Sequence, residues 1–303
     1  MLLKVLGTAA GGGVPQWNCA CRECAGARTH PRRRRRHAAL AVEAAEGRWY
    51  LVNATPDIGD QIEDCPELHP GPGRRRTPVA GVVLTDAELD HTLGIARLRE
   101  AERLEVVATA AVRGALQGRR QLDSLLAPYT ELTWRDLPTK GRAQPLATGS
   151  AIHISAVPLT AKRPRYAAAD PAGTDDPCDW VTALRLTDRA TGRTAVYAPA
   201  LGAWPQALEE AVAEADCVLL DGTFWDDDEP RRANFSTRGA TAMGHLPIDG
   251  PKGTARRLAS LPARRLYTHL NNTNPLIDPA APQHKALARL GIEVAADGME
   301  IVL

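Results

Sequence analysis

No stretch of this chain approaches the ~20 consecutive apolar residues that a helix needs to cross a bilayer. The opening run, residues 1–7, is strand-length, too short for the apolar region of a signal peptide and followed by no cleavage pattern. These two absences make a cytoplasmic protein the expectation. Charge of one sign is missing as well. With 37 Lys and Arg against 36 Asp and Glu, the net charge of +1 argues against a general nucleic-acid binder, whose affinity comes from neutralising phosphates. The nucleotide-binding glycine patterns are also missing, since the small-residue loop 7–15 fits neither G-x-x-x-x-G-K-[ST] nor G-x-G-x-x-G. Gly11, Gly12 and Gly13 do permit positive φ and close approach of backbone N–H groups to a ligand, although a plain flexible connection fits them equally.

What remains is an ordinary globular composition, 44% hydrophobic and 24% charged over 303 residues, expected to form one domain over 1–303. Of the six cysteines, Cys65, Cys178 and Cys217 are scattered, whereas Cys19, Cys21 and Cys24 form a C-x-C-x-x-C run. Cysteines that close together are poorly placed to pair with each other, but three thiolates from one short loop can converge on a structural zinc. Its fourth ligand stays open among His30, His37 and a residue of the C-terminal region. The arginine run 32–36 reads as a solvated loop that also attracts an anionic substrate.

Short apolar runs predict strands at 2–6, 40–43, 49–53, 104–108, 151–158, 181–187, 194–198, 217–221, 265–269 and 292–296. Helices are expected at 110–117, 205–215, 254–260 and 282–290, with a less regular, helix-rich segment at 121–138 and a surface excursion at 66–78. The rest is organised around GVVLTDAELDH at 81–91, a buried strand that runs into a polar turn and then a helix at 92–100. Such a turn, at the carboxyl end of a core strand, is where α/β sheets collect ligands. Asp86 and Asp90 also suit helix capping. Two later strands end alike, in Asp221 and His269. If the strands of one sheet end on one edge, Asp90, His91, Asp221 and His269 meet as two imidazoles and one or two carboxylates, a ligand set for hydrolytic zinc or non-haem iron(II).

These residues resemble the metallo-β-lactamase superfamily, which implies an α/β fold with an αββα four-layer sandwich. Its H-x-H-x-D-H motif aligns here with Asp86, Glu88, Asp90 and His91, so both leading histidines are replaced and the first metal site is dismantled. The resemblance makes Asp90, His91 and His269 second-site ligands and places Asp221 at the bridging position. The strings GGGVPQWNCAC (11–21), NATPDI (53–58), LTDAELDHTLG (84–94), DGTFW (221–225), MGH (243–245) and HLNNTNP (269–275) are similar to those of the pyrroloquinoline quinone (PQQ) biosynthesis protein B family across the chain. Departures at Thr55, Gly59 and Pro230 leave the expected ligands untouched. In related phosphonate-pathway phosphodiesterases, a histidine three residues after the last metal histidine completes the cysteine site; here that position is Asn272.

The family implies a step in making PQQ from a cross-linked glutamate and tyrosine, either iron(II)- and O2-dependent hydroxylation of the tyrosine ring or carriage of PQQ to the periplasm. Metal-dependent hydrolysis is the further alternative. Under the hydroxylase reading, Asp90, His91 and His269 hold iron(II), with zinc as the alternative metal, and Asp221 completes the shell or accepts from a bound water. Asp86 and Glu88 orient a ligating imidazole or take the ring proton, or else only shape the turn, and His245 is a proton donor or a buried hydrogen-bonded histidine. Lys162, Arg163 and Arg165 bind substrate carboxylates or form an exposed basic loop. The expected partners are O2 and a small multi-carboxylate PQQ precursor or PQQ itself, with no nucleic acid, no membrane insertion, and a homodimer as the form of any assembly.

Overall fold

A computed structural model describes residues 1–73, 76–139, 143–168 and 179–303. Cys178 and positions 74–75 of the 66–78 excursion lie outside the described residues. Two seven-stranded sheets form the centre. The first runs in the order β14 (Glu300–Val302), β1 (Leu2–Gly7), β2 (Ala39–Ala45), β3 (Arg48–Val52), β4 (Val79–Val83), β5 (Arg103–Ala108), β6 (Glu131–Asp136). The second runs β13 (Glu293–Val294), β12 (Arg264–Thr268), β11 (Cys217–Asp221), β10 (Thr194–Ala198), β9 (Val181–Asp188), β8 (Ile152–Thr160), β7 (Gln144–Pro145). In each sheet the strands bearing the site pair in parallel, β3 to β6 in one and β10 to β13 in the other.

Side chains alternate across these strands with period two, and the alternation builds the layers. Leu3, Val5, Val83 and Val107 of the first sheet meet Leu184, Tyr197, Leu219 and Leu266 of the second in a shared inner core. Their neighbours turn outward. Val82 and Val106 pack against Ile58, Ile95, Val112 and Leu116, while Val196, Val218 and Leu220 pack against Leu208, Val212, Leu258 and Leu287. Helix, sheet, sheet, helix is the αββα sandwich of a metallo-β-lactamase fold. Among the described residues no helix is long and apolar enough to cross a membrane.

Three expectations about elements are corrected. The 121–138 segment holds one short helix, Leu122–Leu126, followed by the edge strand β6, because ELTWRD is rich in strand formers and needs only one neighbour, β5. The helix expected at 92–100 begins earlier, as a single turn at Leu89–Thr92 that contains Asp90 and His91, and continues as 3-10 turns over Leu93–Leu98. The strand expected at 292–296 is the short β13, and it does not close the chain, because β14 follows and completes the first sheet beside β1.

Candidate metal centre

The site lies at the carboxyl ends of strands in both sheets, not along the edge of one. Asp90 and His91 follow β4 of the first sheet, whereas Asp221 and His269 end β11 and β12 of the second. The face-to-face stacking of the sheets, rather than strand pairing, brings them together.

His91 is 2% exposed and donates through Nδ1 to Asp86 Oδ2 at 2.7 Å. Asp86 also accepts from Thr85 Oγ1 at 2.7 Å and from the Glu88 amide at 2.9 Å, so it shapes the turn and orients the ring at once. This network assigns the proton to Nδ1 and leaves Nε2 buried without a hydrogen-bond partner. His269 reaches the same state from the other sheet. Its Nδ1 donates to Thr223 Oγ1 at 2.8 Å, that hydroxyl donates to Asp221 Oδ1 at 2.6 Å, and His269 Nε2 is again buried and unpartnered. His269 holds a left-handed φ of 59°, costly for a residue with a side chain, and Thr223 Oγ1 lies 3.1 Å from its carbonyl as well.

Asp90 Oδ2 stands 3.8 Å from His91 Nε2 and 3.6 Å from His269 Nε2. Burial alone would raise the Asp90 carboxyl, but the two facing imidazoles hold it well below the usual carboxylate range. At His91 burial opposes the charged ring, yet Asp86 and Asp90 prevail and its pKa is raised to about 9, so without a metal the ring also carries a proton on Nε2, which a bound cation would displace while Asp86 keeps the Nδ1 proton. Burial dominates at His269 and lowers its pKa, favouring the neutral ring that a metal needs. Two orphaned ring nitrogens and one ionised carboxylate oxygen, all buried and converging, fit a divalent cation.

Asp221, expected at the bridging position, is surrounded by protein donors. Fully buried, it accepts from the Leu201 amide and His245 Nδ1 on Oδ2, each at 2.7 Å, and from the Thr223 amide and hydroxyl on Oδ1, at 2.9 and 2.6 Å. It lies near enough to His245 and His269 for one cation to reach all three, but its oxygens are already engaged. Its evident work is to hold His245 directly and His269 through Thr223. The His245 ring stacks on His269 with centroids 5.8 Å apart and meets Phe224 edge-on at 5.9 Å.

The remaining expected residues divide. Glu88 and Lys162 face each other, Oε1 to Nζ at 3.9 Å, and the Lys162 stem crosses Gly244, where an added Cβ would meet its Cδ at 2.7 Å. Burial, eased by Lys162, raises the pKa of Glu88. Arg163 lies over the Trp180 ring at 5.1 Å, and Arg165 is exposed with nothing tying it to the centre. Of the basic cluster, Lys162 is the residue that stands opposite Glu88. Tyr166 and Arg120, which the sequence did not single out, brace the turn from behind. Tyr166 donates to the Ala87 carbonyl at 2.7 Å, and Arg120 donates at 2.6 Å to Thr92 Oγ1, which donates at 2.8 Å to the Glu88 carbonyl. Thr223 was missed too, although its place two residues after a strand-end Asp is a recurrent capping arrangement.

Cys19, Cys21 and Cys24 cluster, with Cys24 fully buried. The amide of Asn272 meets all three sulfurs, with Nδ2 at 3.2, 3.6 and 3.4 Å. The two histidines held open as a fourth ligand lie elsewhere, His30 against Thr29 and the Gly26 carbonyl and His37 against Gly11 and Asp57.

Comparison with known proteins gives the family. Residues 48–269 match the family model of the β-lactamase superfamily domain, and the chain belongs to that superfamily. It is 42% identical over 308 residues to coenzyme PQQ synthesis protein B of Cupriavidus necator and 44% identical over 305 residues to that of Cupriavidus taiwanensis, with 99% of each chain covered in both. A crystal structure of Zn2+-bound PqqB from Methylobacterium extorquens superposes with a TM-score of 0.88 at 30% identity over the whole of both chains. Within the superfamily this chain is therefore a member of the PQQ synthesis protein B family. A diphosphatase of the PhnP family, at 18% identity and a TM-score of 0.67 over 99% of this chain and 96% of that one, shares the fold.

Proposed function

We propose that this chain acts in PQQ synthesis as an iron(II)- and O2-dependent hydroxylase of the tyrosine ring in a cross-linked Glu-Tyr intermediate. The observation that carries the reading is the pair of buried, unpartnered Nε2 atoms of His91 and His269 beside the Asp90 carboxylate. Two imidazoles and one carboxylate on one face are the donor set of non-haem iron(II) oxygenases. Bound there, the metal would supply the site at which O2 is reduced. Asp86 and Thr223 keep both ligand rings in the tautomer that presents Nε2. Glu88, beside the centre, takes the proton displaced from the ring, and Lys162 opposite it meets a substrate carboxylate. One oxygen atom enters the ring as hydroxyl and the other leaves as water, with two electrons from an external reductant.

The leading histidine positions of the superfamily motif work against two-metal hydrolysis. Asp86 is engaged with His91, and Glu88 faces Lys162, so neither presents an imidazole to a first metal. At the cysteine cluster we assign a structural zinc. A tetrahedron with Zn–S near 2.3 Å and Zn–O near 2.1 Å separates sulfur from oxygen by about 3.5 Å. The Asn272 amide stands at 3.2 to 3.6 Å from the sulfurs, so its oxygen, exchanged with the nitrogen by a flip of the amide, fits the fourth place.

The test is anaerobic loading with iron(II), followed by O2, a reductant and the cross-linked substrate, with mass spectrometry for added oxygen. The expected result is incorporation that disappears in His91→Ala and His269→Ala. A correctly loaded site that incorporates no oxygen rejects the hydroxylase. Ester cleavage by the zinc form would then favour hydrolysis, and tight PQQ binding that survives both substitutions would favour a carrier.

A further inference from the structure

His37 lies outside the centre and has no part in the chemistry above, yet it is held at several points. Its ring Nε2 donates to the Gly11 carbonyl at 3.3 Å. Its Nδ1 lies 3.1 Å from Asp57 Oδ2, which also accepts from the His37 amide at 3.2 Å. Thr55 Oγ1 donates to the other Asp57 oxygen at 2.7 Å, and Gln61 Nε2 donates to the His37 carbonyl at 2.7 Å. The backbone of residue 37 is thus fixed at its amide and carbonyl, and the ring sits between the Gly11 carbonyl and the Asp57 carboxylate.

Gly11 in turn borders the Asp90 carboxylate. A Cβ added to Gly11 would lie 3.1 Å from Asp90 Oδ2 and 3.2 Å from its Cγ, so the bare backbone of Gly11 is packed against the carboxylate. On the opposite side, a Cβ at Gly13 would lie 3.3 Å from His37 Cε1, and Gly13 has a φ of 65°. The glycine loop is therefore clamped between the imidazole of His37 and the carboxylate of Asp90. Gly11 and Gly13 serve this double close approach, while Gly12 is packed against the Gln16 side chain, where an added Cβ would lie 2.2 Å from Oε1.

We propose that His37 is a positioning residue for Asp90, acting through the Gly11 peptide. Thr55 and Asp57 fix the ring, the ring fixes the Gly11 carbonyl, and the Gly11 backbone forms the wall that sets where Asp90 Oδ2 stands relative to His91 and His269. The inference rests on Asp90 being a ligand, and it predicts that a side chain which never touches the metal tunes how tightly the metal is held. Outer partners of this kind commonly change affinity about 10- to 100-fold, and one acting through a backbone belongs at the lower end.

Cobalt(II) titration of the full chain tests this, because the d–d bands of the nitrogen and oxygen site are distinguished from the cysteine site by the thiolate charge-transfer band of the latter. His37→Leu should weaken cobalt at the Asp90, His91 and His269 site about tenfold while the thiolate band is unchanged. His37→Gln retains an N–H donor for the Gly11 carbonyl and should recover most of the loss. Gly11→Ala, whose backbone needs no positive φ, should weaken the site by displacing Asp90, and it reports independently if the Leu variant folds poorly. In an Asp90→Ala background, His37→Leu should add nothing. Undiminished affinity in both His37→Leu and Gly11→Ala, or a Gln variant as weak as Leu, overturns the proposal. If Asp90→Ala itself leaves affinity unchanged, the ligand role of Asp90 fails instead, and the two failures are told apart.

Discussion

Single atoms decide what the two ligand histidines can do. Asp86 stands where the superfamily motif has a metal-binding histidine, and here its oxygens face protein donors: Oδ2 takes Thr85 and His91, Oδ1 takes the Glu88 amide. An Asp86→Asn variant must put an N–H group on one of these two sides. On the His91 side it would drive the ring proton to Nε2, and on the Glu88 side it would set donor against donor. We expect active-site metal affinity to fall about 10- to 100-fold with the fold retained, as measured by chelator competition alongside circular dichroism. Unaltered affinity would remove Asp86 from the orienting role. The candidate ligands were readable from the sequence, because Asp90, His91 and His269 are polar residues at the ends of apolar strands. Thr223 was not singled out, since its importance comes from His269, which it touches 46 residues away, whereas Asn272 was placed by the family alignment and its contact with the sulfurs by the fold.

At the level of elements, the 3-10 turns Leu93–Leu98 carry the packing that fixes the metal turn to the first sheet. Gly94 donates to the Ala54 carbonyl at 2.9 Å, and a Cβ on it would lie 2.1 Å from the Thr55 carbonyl oxygen. The backbone at Gly94 is compatible with alanine, so the cost of Gly94→Ala is steric, and neither backbone can yield without parting the 53–58 loop from the turn. Urea unfolding should show a loss above roughly 3 kcal/mol, at the severe end for a single methyl group. A loss within about 0.5 kcal/mol would mean that the two segments slide freely. Strands and most helices were legible from apolar periodicity. β6 was not, because an edge strand with half-exposed residues shows no clear period, and its pairing with β5 is what selects strand over helix.

For the molecule as a whole, pH acts through groups the fold has buried. Glu229 is 4% exposed and accepts from the Trp225 amide and Thr273 Oγ1, each at 2.6 Å, joining the loop after β11 to the loop after β12. Burial raises its pKa from the ordinary 4.5 to about 7. The folded state thus keeps a proton that the unfolded chain releases, so the contribution is fully favourable below about pH 4.5 and is lost as pH rises through about 7. Across that window the loss amounts to about 3 kcal/mol at most. Glu229→Gln should shrink the difference in unfolding free energy between about pH 5 and pH 8. An undiminished difference would place the titration in another group.

By itself the sequence determined the alternation that makes two amphipathic sheets, the positions of Asp90, His91 and His269, and the cysteine triplet, because each depends on residue type and short spacing. Only the tertiary structure decided that the centre spans two sheets, that Asp221 holds His245 directly and His269 through Thr223, that Lys162 stands opposite Glu88, and that the Asn272 side chain reaches all three sulfurs. Those outcomes depend on which orphaned polar atoms meet across the stacked sheets, and burial penalises every such atom left without a partner.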